Sequence, residues 1–347
     1  MSKLKIAIIC GGKSSEHEIS CVSANGILNA LDRTQFEPVL IGITKNGRWL
    51  LLPSDTNFAI INGALPVVPE SGVEINVTSQ GLFSGGKNLE IDVAFPILHG
   101  HYGEDGTIQG LLEMIGIKYV GSGVLASAVC MDKSYAKPIF ASAGLNVAPG
   151  IVVTSKDFEL PSTLKFPLFV KPARSGSSRG TTKVKELSQL AAAVEHALDF
   201  DTKVIIEQAI VGKEIECAVL QADDKITVSK VGQILISNKF EFYDFHAKYL
   251  DDSMQLILPA DLPEEASRQI QQAALIAFEA AGCEGLARVD FFYSSEGKVI
   301  INEINTMPGF TPMSVYPKLI ENSGINYQLL ITKLIQTAKN RSSSITR

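Results

Sequence analysis

Residues 6–10, Ile-Ala-Ile-Ile-Cys, form an unbroken apolar run that stops at Gly11-Gly12 and gives way to helical spacing over 20–31. A short strand apolar on both faces and followed by a helix is the unit from which helix-covered parallel sheets are built. Residues 39–43 and 92–98 read as further strands, and 105–115 has helical periodicity. The first part of the chain is therefore expected to be a doubly wound α/β unit with ligand-facing loops at the strand C-termini. Residues 45–90 mix Gly, Asn, Pro and Ser with short apolar bursts and support no assignment.

From about Gly121 the texture changes. A helix is predicted over 124–143 and a strand over 166–171. A Gly/Ser-rich loop, a strand over 182–185, an alanine-rich helix over 187–200 and a strand over 204–208 follow. A third segment starts near Gly212, with strands over 215–222, 225–236, 254–258, 286–293 and 299–305 and helices over 263–281 and 325–337. A chain of 347 residues holds two or three domains of roughly 100–150 residues. These changes divide it at 1–121, 122–211 and 212–347.

The formal net charge is −6 and the pI near 5.5, which argues against a general nucleic-acid binder. The five cysteines are scattered and never form C-x-x-C, so neither a disulfide framework nor a zinc ribbon is indicated. The apolar run at the N-terminus is shorter than the roughly 7–15 residues of a signal-peptide core. No stretch approaches the roughly 20 apolar residues of a membrane span. A cytoplasmic protein is expected.

The sharpest chemical signal is Arg288-Val289-Asp290 followed, after Ser294-Ser295-Glu296-Gly297, by Glu303-Ile304-Asn305. With a two-residue turn at Glu296-Gly297, Asp290 lies opposite Glu303 and Arg288 opposite Asn305; a four-residue turn keeps all four on one face. Facing carboxylates repel. A divalent cation removes that penalty, and an all-oxygen set of Asp, Glu and Asn suits magnesium. By residue type alone, the pair also reads as a solvated polar face on a hairpin.

A second signal is cationic. Lys133 follows Met131-Asp132, and Lys171 ends an apolar strand just before Ser175-Gly176-Ser177-Ser178-Arg179-Gly180. A lysine beside a loop rich in backbone N–H donors describes a phosphate clamp, and equally an ordinary surface turn. It is not a Walker A loop: Gly12-Lys13-Ser14 has the right ending, but Ala7 stands at the first glycine position. His99-Gly100-His101 lacks a third ligand at a fixed spacing for zinc. The aromatic and charged run over 242–249 reads alone as an exposed loop.

Together these stretches resemble the D-alanine–D-alanine ligases, within the ATP-grasp group. The matching pieces run in the family's order from about residue 4 to 340. They are Gly11-Gly12-Lys13-Ser14-Ser15-Glu16, His99-Gly100, Gly103-Glu104-Asp105-Gly106-Thr107, Met131-Asp132-Lys133, Val170-Lys171-Pro172, Gly176-Ser177-Ser178, Tyr243-Asp244 with Ala247-Lys248-Tyr249, Arg288-Val289-Asp290, and Glu303 through Gly309. The resemblance implies a Rossmann-like first domain followed by a two-part ATP-grasp fold. It implies ATP with two magnesium ions, manganese being an alternative, held by Asp290, Glu303 and Asn305. Lys133, Lys171 and Lys248 resemble the phosphate lysines, Glu207, Gln208 and Ile210 the adenine strand, and Glu214 the ribose contact.

For the amino-acid substrates, Glu16 corresponds to the carboxylate receiving the first ammonium group, with Ser177 and Tyr249 as its partners. His99 resembles the residue near the first substrate's carboxylate, and Ser314 the contact to the second. Arg288 and the Gly309 N–H match the oxyanion donors. The departures are His246, Met307 and Arg179, and none removes a chemical group from this scheme. Tyr249 goes with an amine acceptor, which favours a dipeptide over a D-alanine–D-lactate ester. A homodimer is expected through the resemblance alone. Other ATP-grasp substrates, or a non-catalytic nucleotide-binding module, are the competing readings; Glu16 with Tyr249 argues against the first, and Arg288 with the metal set against the second.

Overall fold

β1 (Leu4–Gly11) lies between β2 (Phe36–Ile43) and β7 (Val93–Pro96), parallel to both, and β7 is parallel to β8 (Lys118–Tyr119). The computed structural model describes residues 2–236 and 254–341. β1 is buried over its last six residues, as an apolar strand covered on both faces must be. The crossovers are α1 (His17–Ala30) and α2 (Thr107–Met114). The strand order reverses between β1 and β7, so the loops leaving these two strands flank one crevice.

The stretch left unassigned is an antiparallel extension of the same sheet: β3 (Trp49–Leu52), β4 (Val73–Thr78), β5 (Gly81–Ser84) and β6 (Lys87–Asn88). Only one of the six residues of β4 is buried. Val73-Glu74-Ile75-Asn76-Val77-Thr78 does alternate, but its neighbours are two to four residues long and separated by turns, too short to show a period.

A second, four-stranded antiparallel sheet contains β9 (Gly150–Val153), β10 (Leu168–Pro172), β11 (Thr182–Val184) and β12 (Val204–Gln208), with α5 (Leu190–Leu198) packed on it. The third sheet has six strands: β13 (Gly212–Ala222), β14 (Lys225–Val228), β15 (Gly232–Ile236), β16 (Met254–Ile257), β17 (Leu286–Ser294) and β18 (Val299–Asn305). Its helices are α6 (Glu264–Ala280), α7 (Val315–Asn322) and α8 (Tyr327–Asn340).

Two expected elements are broken. The single helix over 124–143 is α3 (Val124–Met131) and α4 (Lys133–Ser142). Asp132 leaves helical geometry between them and caps the second, accepting the Ser134 N–H at 3.0 Å. The strand over 225–236 breaks at Ser229, whose hydroxyl accepts the Ala218 N–H at 2.9 Å. The cap makes Lys133 the first residue of a helix, a position that aims it at the site.

Candidate active site

The hairpin of β17 and β18 carries the predicted metal set. Asp290 pairs with Glu303 and Arg288 with Asn305, as read, but by a different route. The Ser294 N–H bonds the Lys298 carbonyl at 2.9 Å, enclosing a three-residue loop in which Gly297 has φ +79°. Alone, that loop would send Glu303 to the face opposite Asp290. A register shift beside Asp290 leaves Asn302 as an extra, bulged residue and restores the pairing.

Arg288 donates to both oxygens of Asp290, Nε to Oδ1 at 2.8 Å and Nη2 to Oδ2 at 2.7 Å. The same Nε lies 3.0 Å from Oε2 of Glu216, a buried carboxylate on β13 that pairs with Asp290 across the strands. Asn305 Nδ2 donates to Asp290 at 3.0 Å. The guanidinium is thus held from two strands.

The cations converge on the same place. Lys133, buried, lies 2.9 Å from Glu303 and donates to the Ser175 carbonyl at 3.1 Å. Burial pulls its pKa down, and the charge of Glu303, with Glu207 and Glu104 behind it, more than reverses that. Lys171 pairs with Glu207 at 2.5 Å and reaches Asn302 Oδ1 at 3.3 Å. Its pKa is lowered, by burial first and by the neighbouring Lys137 and Lys133. Glu207 is also 2.8 Å from Lys137, and although burial pushes its carboxyl up, the two lysines hold it down at about 2.

Between the second and third sheets lies a cleft of about 370 Å³ lined by Lys133, Lys171, Gln208, Ile210, Glu214 and Phe292, with Asp290 and Glu303 at one end. Among the described residues no three His, Cys, Asp or Glu side chains gather as a metal site. A cation here would rest on two facing carboxylates and one amide, with phosphate and water oxygens completing the shell. That donor set fits magnesium, which takes few protein ligands beside substrate phosphates.

The Gly/Ser loop spans 173–181 between β10 and β11. Ser177 and Ser178 both adopt left-handed backbone, φ +50° and +55°, a conformation that persists only where surroundings enforce it. One such restraint is visible: the Ser177 hydroxyl donates to Glu16 Oε1 at 2.5 Å. Glu16, buried at the start of α1, is thereby joined to the phosphate-type loop. Gly100 sits against the same carboxylate. A Cβ there would lie 2.7 Å from Glu16 Oε2, and its φ is +72°.

His99 is buried with both ring nitrogens engaged. Nδ1 faces the Met307 carbonyl at 3.0 Å and so carries the hydrogen; Nε2 then accepts from the Ser23 hydroxyl at 3.1 Å. Burial lowers its pKa, which suits a neutral ring. Glu104 accepts the Gly100 N–H at 2.7 Å and faces the Met307 N–H at 3.4 Å. Burial, then the charge of Glu16, pushes its carboxyl up to about 8. His99 and Glu104 therefore hold the backbone carbonyl and N–H of Met307, between Asn305 and Gly309.

The Gly309 N–H has no acceptor among the described residues. Ser314 precedes α7, its hydroxyl 2.9 Å from Thr311 Oγ1. Lys248 and Tyr249, with His246 and the rest of the aromatic and charged run over 242–249, lie outside the described residues.

Sequence reading missed Glu216, Lys137, Asn302 and the grip of Glu104. Lys137 was discoverable, because it follows Lys133 by four residues and shares its helix face. Asn302 was not, since nothing local announces a bulge.

A strand-bounded cleft between two antiparallel sheets, lysines on one side and facing carboxylates with an arginine at its end, defines the ATP-grasp class of ATP-dependent ligases. Comparison with known proteins narrows the class. A family model described as the D-ala D-ala ligase N-terminus matches residues 5–122, and one described as its C-terminus matches 139–336. The D-alanine–D-alanine ligase of Paenarthrobacter aurescens is 46% identical, covering 98% of this chain and 96% of the relative. That of Mycolicibacterium smegmatis is 47% identical over 99% and 97%. Among solved structures, the D-alanine-D-alanine ligase from Coxiella burnetii superposes with TM-score 0.84 at 35% identity, covering 98% of this chain and 95% of that one. The VanG D-Ala:D-Ser ligase from Enterococcus faecalis does so with TM-score 0.84 at 36%, covering 97% and 100%. The chain belongs to the D-alanine–D-alanine ligase family. No helix of the described residues is long and apolar enough to cross a membrane.

Proposed function

We propose that this chain joins two D-alanine molecules into D-alanyl-D-alanine for peptidoglycan precursor synthesis, using ATP and two magnesium ions in the cytoplasm. The observation that carries the reading is the Glu16–Ser177 contact. It brings an acceptor for a substrate ammonium group from the first sheet against the loop that would cover the phosphates.

The residues divide the work by type. Lys133, Lys171 and Lys248 bind phosphates. The backbone of Glu207, Gln208 and Ile210 holds adenine, since the Glu207 carboxylate is already taken by lysines, and Glu214 binds ribose. Asp290, Glu303 and Asn305 would hold the metal ions, which supply charge neutralisation at the transferring phosphoryl group. The carboxylate of the first D-alanine, oriented by Glu16, Ser177 and Tyr249 and by His99 nearby, attacks the γ-phosphate; ADP leaves and an acyl phosphate forms. The amine of the second D-alanine, its carboxylate at Ser314 and the start of α7, attacks the carbonyl carbon, loses a proton and expels phosphate. Arg288 and the Gly309 N–H stabilise the oxyanion between these events. Division at 1–121, 122–211 and 212–347, and a homodimer, belong to the same reading.

The test is phosphate release with Mg-ATP and D-alanine, beside L-alanine alone and D-alanine mixed with D-serine or D-lactate, with products identified by mass. D-Alanine-dependent release with dipeptide as product is expected. A D-alanyl-D-serine product dominating the D-serine mixture would move the chain to the specificity named for the Enterococcus relative. No D-alanine-dependent release from folded, ATP-binding protein would overturn the substrate.

A further inference from the structure

Lys137 is a buried lysine that the chemistry above does not use. It lies one turn after Lys133 on α4, is absent from the residues lining the nucleotide cleft, and sits 2.8 Å from Oε2 of Glu207. Lys171 holds the other oxygen, Oε1, at 2.5 Å. The side chains of all three keep at most 12% of their surface. Glu207 is therefore a buried carboxylate between two cations, one facing the cleft and one behind it.

A buried anion that loses its counter-ion is strongly destabilising. A phosphate entering the cleft competes for the Lys171 ammonium. With Lys171 as the sole partner of Glu207, turning towards phosphate would strand that carboxylate. With Lys137 on the opposite oxygen, Glu207 stays neutralised while Lys171 turns. We propose that Lys137 is a positioning residue that serves as the standing counter-ion of Glu207 and so releases Lys171 to bind the phosphates of ATP. The inference rests on Lys171 being a phosphate contact, and the experiment separates the two.

ATP with magnesium is titrated calorimetrically into the full-length protein and its variants without D-alanine, so no turnover intervenes, and thermal melting reports folding. Lys171→Met tests the underlying reading and should weaken ATP roughly 10–100-fold, the range for a hydrogen bond to a charged group. Lys137→Met should weaken ATP by about tenfold or more although Lys171 is present, because Lys171 is then tied to Glu207. In a Glu207→Gln background the charge needing neutralisation is gone, so adding Lys137→Met should change ATP affinity by less than about threefold relative to Glu207→Gln alone. Lys137→Arg keeps the charge and should bind ATP within about threefold of wild type, and it serves with the double variant if Lys137→Met does not fold. Wild-type affinity in Lys137→Met would overturn the inference. So would a Lys137→Met effect as large in the Glu207→Gln background as in the wild-type one, or, where the single variant does not fold, a double variant well beyond threefold weaker than Glu207→Gln alone. Unchanged affinity in Lys171→Met would instead overturn the phosphate role of Lys171.

Discussion

Arg288 shows how single residues work in this site: like Glu207, it shares its buried charge between two partners. Its guanidinium is gripped by Asp290 along its own strand and by Glu216 from β13. When Asp290 serves a cation, Glu216 remains to hold the arginine where an oxyanion would form. Arg288→Ala should leave ATP binding within a few-fold and lower kcat for dipeptide formation by about 10²–10³, the usual cost of one oxyanion donor. Calorimetry with ATP and a coupled ADP assay would show the split; turnover at the wild-type rate would remove the assigned role. Asp290, Glu303 and Arg288 were legible because charged residues interrupting apolar strands stand out. Glu216 was not: in Glu214-Ile215-Glu216 it reads as an ordinary polar position until β13 is known to face β17.

At the scale of elements, the third sheet is organised by β13, which pairs with β17 over nine residues. The strands start in tight contact at Gly212, where an added Cβ would lie 2.2 Å from the Tyr293 carbonyl oxygen. Gly212→Ala must push the strands apart and should destabilise the protein by ~1–3 kcal/mol, as overpacking does. A thermal melt unchanged from wild type would show that the strand end absorbs the extra atom freely. The apolar strands were readable from their runs, and α6 from its 3.6-residue period. The breaks were less so. Helical spacing runs through 124–143 although the apolar Val124–Met131 gives way to Lys133–Ser142 with two lysines and Pro138, and the cap on Ser134, with the Lys203 ammonium on the Asp132 carboxylate, marks where one helix ends and the next begins. The short α7 follows a loop with Pro308 and Pro312 and carries Pro317 in its first turn, which masks the helical spacing of Val315, Tyr316, Leu319 and Ile320.

The whole molecule is held together by an apolar cluster that ignores the boundaries suggested by sequence texture. Ile8 and Phe95 of the first sheet share it with Leu220 of the third and with Leu319, Leu330 and Leu334 of the C-terminal helices. At its centre is Phe310, fully buried, with ring centroids 5.5 Å from Phe95, 5.7 Å from Tyr327 and 6.0 Å from Tyr316. Phe310 follows Gly309, so the packing that unites the molecule also seats the loop proposed to supply the oxyanion N–H. Phe310→Ala should cost ~3–5 kcal/mol, measured by urea unfolding, and should loosen the first sheet from the rest. A loss well below that range would place the anchor elsewhere in the cluster.

What the sequence determined by itself follows from short-range physics. Apolar runs bounded by glycine specify the strands and helices, and residue types repeated in a set order specify the chemistry and the family. What only the tertiary structure decided are the relations between distant segments. The bulge at Asn302 sets Asp290 opposite Glu303, Lys137 stands behind Glu207, and His99 and Glu104 close on the backbone carbonyl and N–H of Met307. Each depends on side chains dozens to hundreds of residues apart, or on a one-residue slip that changes every facing pair without changing local composition.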